Sequence, residues 1–285
     1  MQCLFHIDNL SCGYNSSAEV LRVPRLQIFP GKIYIVLGKS GSGKSTLLET
    51  LALMNHTFRS GSVLFNPPSL NGSDSHKLED FWEKGDKEQL SEVRRKHFSF
   101  IFQQTNLMPN FTVYENIYAA KLMQGESKEE CEKATYEILS RIGMSFIDSN
   151  RKVTELSGGQ RQRVAFARAI ISSYDVLFGD EPTGNLDEVN SVELLGILKE
   201  YIKGSNGNNL KTAVIVTHNI DLAARFADHV LVISKTSEEE PGKILAENCF
   251  EKVSKGSAIA WKDPGKEYSS DQFKRKLQEL FSSEL

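Results

Sequence analysis

The sequence predicts an α/β fold with a parallel β-sheet at its centre, on three observations. Short apolar runs that suit strands buried on both faces recur at residues 33–37, 98–102, 175–178, 213–216 and 230–233. Apolar residues at helical spacing lie between these runs, at 131–142 behind a possible capping box at 127–130, and again at 189–202. Strands and helices therefore alternate, which is typical of a sheet covered by helices.

Length and composition indicate one large domain, or one domain with an appendage, of ordinary soluble composition. The chain has 285 residues, of which 40% are hydrophobic and 25% charged, and its formal net charge is -3. No overall basic field points to nucleic acid, although local basic patches stay open. The four cysteines are scattered and predict unpaired thiols. We find neither a signal-peptide pattern nor an apolar run near the roughly 18 residues of a spanning helix.

Several segments interrupt the alternation. Residues 66–95 combine prolines, turn residues at 71–73 and many charges, and they predict a surface excursion. Residues 204–209 predict a flexible loop, and residues 238–242 an acidic turn. Near the end, one face of a predicted helix carries Phe273, Leu277, Leu280 and Phe281. We expect that face to dock on the protein's own body, and the alternative is a partner-binding helix.

A glycine-rich motif follows the first apolar run and precedes a helical pattern. Residues 38–45 fit G-x-x-x-x-G-K-[ST] in the strand-loop-helix setting that the motif requires. Glycines let backbone N–H groups approach phosphates, and the helix N-terminus adds partial positive charge. Lys44 would reach the β- and γ-phosphates, and the Ser45 hydroxyl would hold Mg²⁺. The candidate nucleotide-binding residues are Gly38, Lys39, Ser40, Gly41, Ser42, Gly43, Lys44, Ser45 and Thr46.

Two adjacent carboxylates, Asp180 and Glu181, follow the apolar run at 176–179. The end of a parallel strand beside a phosphate-binding loop suits Mg²⁺ coordination, usually through water. The pair allows a division of roles, with Asp180 serving the metal and Glu181 polarising the attacking water. A solvated acidic turn is the alternative, which the preceding apolar run disfavours because it carries the pair to the sheet edge.

The pentapeptide Leu-Ser-Gly-Gly-Gln at residues 156–160 precedes a predicted helix, where a second anion could bind. With this motif the sequence resembles the nucleotide-binding domain of ABC (ATP-binding cassette) proteins over roughly residues 1–235. In the family's order, Gln103 resembles the Q-loop glutamine, residues 185–187 the D-loop, and His218 the H-loop histidine. Tyr14 resembles the aromatic residue that stacks on adenine, with an ordinary surface tyrosine as the alternative.

The resemblance implies a P-loop NTPase fold: a RecA-like parallel-sheet core, an antiparallel β subdomain and an α-helical signature subdomain near residues 104–165. Residues 1–235 would form the ATPase domain, and residues 236–285 a C-terminal extension. The implied reaction is ATP hydrolysis. The implied cofactor is Mg²⁺, held by Ser45, Gln103 and Asp180. The implied catalytic residues are Glu181, His218 and Gln103.

The family binds two ATP molecules between two head-to-tail domains, each held by the P-loop of one subunit and the signature of the other. This chain carries one of each, so the resemblance implies a homodimer with two equivalent composite sites. The residues expected to contact ATP across the interface are Ser157, Gly158, Gly159, Gln160 and Asp187. Loss of the γ-phosphate would weaken this attraction and let the dimer open.

The segments 102–109, 113–117 and 180–187 resemble one branch of the family, the lipoprotein-releasing, macrolide-exporting and cell-division ATPases. The branch implies a separate integral membrane permease subunit, a cytoplasmic position at the inner face of the cell membrane, and no nucleic-acid partner. The permease would dock after Gln103, with Leu107, Met108 and Phe111 as candidates unless they pack internally.

Other functions stay open. The ATPases of amino-acid uptake systems resemble this sequence closely enough to be an alternative. A soluble ABC protein acting on ribosomes or DNA is disfavoured, because ribosomal members carry two cassettes and the interval 46–156 is too short for a long coiled coil. A non-catalytic switch would need a damaged acid or histidine, whereas Glu181 and His218 are intact. A kinase would have no use for the signature.

Overall fold

A computed structural model describes residues 2–14, 18–68, 75–85, 87–204, 210–237, 239–255 and 258–282. The turn predicted at 71–73 and residues 205–209 of the predicted loop lie outside this description, as does Glu238 of the acidic turn. Strands and helices alternate through most of the chain, as the sequence predicts.

The elements are, in chain order, β1 (Phe5–Cys12), β2 (Leu21–Ile28), β3 (Ile33–Gly38), α1 (Lys44–Leu51), β4 (Phe58–Phe65), β5 (His76–Lys77), α2 (Leu78–Lys84), α3 (Lys87–His97), β6 (Phe98–Ile101), α4 (Val113–Leu122), α5 (Lys128–Arg141), α6 (Phe146–Ser149), α7 (Gly158–Ile171), β7 (Val176–Asp180), α8 (Glu188–Lys203), β8 (Thr212–Val216), α9 (Ile220–Phe226), β9 (His229–Ile233), β10 (Gly242–Lys243), β11 (Cys249–Lys255), β12 (Ala258–Lys262), β13 (Glu267–Ser269) and α10 (Ser270–Ser282).

The larger sheet has the strand order β13-β12-β11-β9-β3-β8-β7-β6 among the described residues. The strands β9, β3, β8, β7 and β6 run parallel, and β3 and β8 are buried along their whole length. The predicted α/β fold with a parallel sheet is therefore confirmed. Parallel pairing also brings the carboxyl ends of β3, β7 and β8 to one edge, where ligands bind in such folds.

A smaller sheet, in the order β10-β2-β1-β4-β5 among the described residues, covers one face of the larger one. β1 pairs antiparallel with both β2 and β4. The buried side chains of β1 and β2 share an apolar cluster with Tyr34 and Val36 of β3 and with Leu47 of α1. The predicted antiparallel β subdomain is confirmed, and it holds the glycine-rich loop from one side.

Helices α4 to α7 fill the interval between β6 and β7. Capping boxes start α4, α5 and α7, including the predicted pair of Ser127 and Glu130. Phe166 of α7 packs with Ile117 of α4 and Ile138 of α5 in the main apolar cluster. The predicted α-helical subdomain is confirmed as a group of packed helices, while its limits near 104 and 165 stay a prediction.

The described part of the excursion at 66–95 folds against the sheets. It forms β5, α2 and α3, and it buries Leu78, Leu90 and Val93. The residues expected to meet a permease differ in burial. Leu107 packs against the main cluster, whereas Phe111 keeps 38% of its surface exposed.

The segment after residue 235 is continuous with both sheets. β10 pairs with β2 of the smaller sheet, and β11 pairs with β9 of the larger one. α10 buries Phe273 and Leu277 completely and packs Leu280 and Phe281 against the main cluster. The expected docking of this helix face on the protein's own body is confirmed, and the division at 235 stays a prediction.

All four cysteines lie in the described part of the chain and are free thiols, as the sequence predicts. None of the described helices is long and apolar enough to cross a membrane.

Candidate active site

The glycine-rich loop joins the end of β3 to the start of α1. Gly41 and Gly43 take positive φ values of 74° and 99°, which most side chains disfavour. A Cβ on Gly38 would lie only 2.5 Å from the Ser42 hydroxyl oxygen. Three glycines therefore let the loop turn tightly and present backbone N–H groups beside the N-terminus of α1, which suits a phosphate.

Lys44, the first residue of α1, points back over this loop. Its Nζ donates to the carbonyl oxygens of Gly38 and Lys39, at 2.7 Å each. Burial lowers the pKa of the Lys44 ammonium, and the nearby carboxylates of Glu181 and Asp180 oppose that shift. A phosphate group at this position would give the ammonium a counter-charge as well as new acceptors.

Ser45 and Asp180 meet at the sheet edge, although the first lies on α1 and the second ends β7. The Ser45 hydroxyl donates to Oδ2 of Asp180 at 2.8 Å. Burial raises the pKa of the Asp180 carboxyl, the Ser45 hydrogen bond lowers it, and the Glu181 carboxylate raises it. Nearby positive charge would favour the ionised form of this carboxyl.

The oxygen donors at this edge suit Mg²⁺ that is shared with phosphates and waters. They do not form a site in which protein side chains alone hold a metal. Magnesium is usually bound through one or two carboxylates, substrate phosphates and waters. The described residues include no group of three or more His, Cys, Asp or Glu side chains placed to hold a metal. The hydroxyl of Ser45 and the carboxylate of Asp180, beside a phosphate-binding loop, are the part of a Mg²⁺ site that a protein provides.

Glu181 adopts a backbone conformation that is rare for a residue with a side chain. Its φ is 47°, and its N–H donates to the carbonyl of Val216 at 3.0 Å, which ties it to the end of β8. Oε1 lies 2.9 Å from Nδ1 of His218, and Oε2 accepts from the Thr217 hydroxyl at 3.3 Å. A strained residue with both carboxylate oxygens held in place is typical of a functional site.

These side chains open into one cavity at the carboxyl edge of the sheet. Among the described residues, those predicted from the sequence that line it are Tyr14, Gly38, Lys39, Ser40, Gly41, Gly43, Lys44, Ser45, Thr46, Gln103, Asp180, Glu181 and His218. Ser42 is the exception in the loop, because its side chain is buried beneath it. Residues from distant parts of the sequence therefore meet around one space.

Tyr14 stands at the rim of the cavity with 39% of its surface exposed. Its hydroxyl donates to Oε2 of Glu49 at 2.6 Å and accepts from Thr46 at 3.4 Å. Burial, and then the hydrogen bond to Glu49, raise the pKa of the Tyr14 phenol. The ring is therefore held by α1 and is available to stack on a flat ligand.

The signature residues lie outside that cavity. Ser157 caps α7: its Oγ accepts from the N–H of Gln160 at 3.2 Å, and its own N–H donates to the Gln160 side chain at 3.0 Å. Gly158 lines a separate cavity with Gln103 and Asn185. Asp187 caps α8, and its hydrogen bonds from the Asn190 backbone and side chain lower the pKa of its carboxyl.

Several residues around the site have no sequence signal that predicts a place in it. Val20 and Phe281 line the main cavity beside the predicted residues. Gln162 of α7 is fully buried, donates to the Pro182 carbonyl at 2.7 Å and accepts from Asn185 at 3.2 Å. An apolar residue or a helical glutamine has no distinctive local pattern, so only the folded structure shows that these residues lie at the site.

A family model described as ABC transporter matches residues 21–184, which include the loop, the signature and both carboxylates. The lipoprotein-releasing system ATP-binding protein LolD of Novosphingobium aromaticivorans is 38% identical over 207 residues, covering 73% of this chain and 84% of that protein. LolD of Ehrlichia chaffeensis is 37% identical over 228 residues, covering 79% and 89%.

A macrolide export ATP-binding/permease protein, MacB of Rhodopseudomonas palustris, is 36% identical over 239 residues, which is 84% of this chain but only 32% of that protein. Among solved structures, the dimeric bacterial ABC transporter cassette MJ0796 superposes with a TM-score of 0.68 at 28% identity, over 84% of this chain and 96% of that one. The same cassette in a post-hydrolysis state with ADP and Pi gives a TM-score of 0.66 at 27% identity.

Proposed function

The chain belongs to the ABC transporter family and is an ATPase of that family, and from that premise we propose that it powers a separate membrane subunit. One observation carries the assignment of the site. Lys44, Ser45, Asp180, Glu181 and His218 come from three separate stretches of sequence and line one cavity beside a glycine-rich loop. Phosphate binding and the positioning of an attacking water require such a set in one place.

In the proposed mechanism the loop from Gly38 to Thr46 and the Lys44 ammonium bind the β- and γ-phosphates, and Tyr14 stacks on adenine. Glu181 orients and polarises the attacking water, in line with the γ-phosphate. Support comes from the hydrogen bonds that hold its two carboxylate oxygens at Thr217 and His218. Because Nδ1 of His218 faces Glu181, we assign Nε2 to the γ-phosphate.

Ser45, Asp180 and Gln103 are the proposed holders of Mg²⁺. The ion, when bound, would neutralise charge on the β- and γ-phosphates. The contact between Ser45 and Asp180 supports this role, as does the position of Gln103 on the same cavity. The chain's own contribution is to hold these oxygen donors at a fixed place on the sheet edge.

We further propose a homodimer in which each ATP lies between the loop of one subunit and the signature of the other. Ser157, Gly158, Gly159, Gln160 and Asp187 would act across that interface. The separation of the signature from the main cavity within one subunit supports this arrangement, as does the dimeric form of the similar cassette. Since Ser157 and Gln160 already cap α7, the partner's γ-phosphate would meet the start of a helix.

The proposed partner is an integral membrane permease of the lipoprotein-release, macrolide-export or cell-division type. The names of the LolD and MacB relatives support that branch. The chain covers 89% of a LolD relative and 32% of a MacB relative, and we propose the LolD arrangement, in which the ATPase is a separate subunit. Such a subunit would sit at the cytoplasmic face of the cell membrane, bind no nucleic acid, and consist of the domain 1–235 with an extension at 236–285.

The first test uses two variants of the cavity and a surface control. Lys44→Ala should lose ATP binding, because the loop loses its cation for the phosphates. Glu181→Gln should bind ATP, hydrolyse it about a hundredfold or more slowly and accumulate as a dimer. Lys96→Ala, at an exposed position of α3, should behave as wild type. Normal ATP affinity in Lys44→Ala, or normal turnover in Glu181→Gln, would contradict the assigned roles.

The second test identifies the partner. Tagged Glu181→Gln would be purified with ATP from gently solubilised native membranes, and the co-purifying proteins identified by mass spectrometry. A permease with few spans and a large outer domain is the expected result. A many-span permease would assign the chain to uptake or conventional export, and ribosomes or DNA in its place would refute the transport proposal.

A further inference from the structure

Helix α10 carries an aromatic side chain to the main cavity. Phe281 lines that cavity together with the glycine-rich loop and His218. It lies far beyond residues 21–184, the part of the chain that the ABC transporter model matches. The cavity wall on this side is therefore formed by a segment that the family's motifs do not describe.

Buried aromatic packing fixes the position of α10. Phe273 is fully buried and stacks on Trp261, with ring centroids 4.1 Å apart, and it meets Phe250 edge-on at 5.2 Å. One turn later, Leu277 is fully buried as well. Stacked and edge-on ring pairs have definite geometry, so the helix axis is held rigidly against β11 and β12.

An ion pair joins α10 to the first turn of α9. Nζ of Lys274 lies 2.6 Å from Oδ1 of Asp221, in the first turn of α9, which directly follows His218 and Asn219. The side chain of Lys274 is 42% exposed and that of Asp221 is 73% exposed, so the pair contributes little to stability, and it shows where α10 passes α9. From Lys274 the helix rises about 10 Å over seven residues to Phe281, past the start of α9 to the cavity.

We propose that Phe281 is a further nucleotide-binding residue, whose ring forms an apolar wall that shields bound ATP from water. The inference rests on the proposed binding of ATP in this cavity. Charged side chains that line the same cavity include Lys44, Asp180 and Glu181. A ring in the wall of this cavity would exclude water and lower the local dielectric constant, so that the attraction between Lys44 and bound phosphates becomes stronger.

The test compares Phe281→Ala with Phe281→Leu and with a matched control, Leu280→Ala. Leu280 is the preceding residue of α10 and packs against the same cluster, but it is not among the described residues that line the cavity. A fluorescent ATP analogue would be titrated into each full-length variant, well below its melting temperature. Phe281→Ala should raise the Kd about three- to tenfold, which is the change in affinity expected for the loss of one aromatic contact.

Phe281→Leu should stay close to the wild-type Kd because it keeps an apolar wall, and Leu280→Ala should match wild type. A Kd in Phe281→Ala that equals that of Leu280→Ala, or is lower than that of wild type, would overturn the inference. Wild type and Lys44→Ala in the same titration distinguish failure of the proposed ATP site from failure of the proposed role of Phe281. Failure of wild type to bind would remove the ATP site itself, whereas normal binding by wild type and Phe281→Ala, with loss in Lys44→Ala, removes only the role of Phe281.

Discussion

Replacing Gln162 tests whether the signature helix is tied to the loop that carries Glu181. The side chain is fully buried, and its amide spans α7 and the turn after β7. Gln162→Leu keeps a similar size but removes both the donor to the Pro182 carbonyl and the acceptor for Asn185. Asn185 is exposed and can bond water, whereas Pro182 is buried. The loss is therefore about 1–3 kcal/mol, the value for one buried carbonyl left without its partner.

Gln162→Glu sharpens the prediction by adding pH dependence. The carboxyl can still accept from Asn185, but when ionised it faces the Pro182 carbonyl without a proton to donate. Burial would raise its folded-state pKa above the ordinary value of about 4.3. A raised folded pKa gives a contribution that is present at low pH and lost as pH rises through it. The deficit of Gln162→Glu should therefore grow between about pH 5 and pH 8, while that of Gln162→Leu stays flat.

Urea unfolding without nucleotide measures both variants, with an unchanged m-value showing that the same surface unfolds. ATPase rates provide the functional reading, because Glu181 precedes Pro182. A looser turn should lower kcat several-fold and leave the affinity for ATP nearly unchanged. A free energy of unfolding for Gln162→Leu within about 0.5 kcal/mol of wild type, the usual range for a surface change, would contradict the role of Gln162. A deficit of Gln162→Glu that does not vary with pH would contradict it equally.

Three further predictions concern other parts of the chain. Gly43→Ala forces a side chain into a φ of 99°, so it should lose about 1–2 kcal/mol of stability and bind ATP more weakly in a thermal-shift titration. Phe273→Ala removes a fully buried ring and should cost about 3–5 kcal/mol, with a red shift in the fluorescence of Trp261 as α10 loosens. Burial raises the pKa of Cys12 to about 11 and of Cys249 to about 12, so both thiols should resist alkylation at about pH 8 until urea exposes them, as peptide mapping would show.

The sequence predicts the contacts that follow from strand ends. Ser45 and Asp180 lie 135 positions apart, yet the hydrogen bond between them is expected once β3 and β7 are parallel strands of one sheet. Asp180 ends the buried strand β7, and the glycine-rich loop joins Ser45 on α1 to the end of the buried strand β3. Local pattern and sheet topology together then leave a single edge for both groups.

The sequence does not predict the contacts that are made through tertiary packing. The spacing of Phe273, Leu277 and Phe281 predicts a helix face but not the surface on which it docks. Phe281 reads as one more core residue until α10 is placed against α9. In the same way, the pairing of His218 with Glu181 depends on the φ of 47° at Glu181, which turns the carboxylate toward the end of β8.

At the active-site edge, the folded chain also holds one strained backbone conformation and two charged groups that burial disfavours. Glu181 adopts a left-handed backbone, burial disfavours the ionised carboxyl of Asp180, and burial disfavours the ammonium of Lys44. A nucleotide would place negative phosphates beside Lys44, and its metal would place positive charge beside Asp180, so both charged forms become favourable on binding. Any ligand that prefers the folded state stabilises it in proportion to its occupancy. These groups are therefore better explained by the nucleotide and metal that we propose they bind than by what they add to the fold alone.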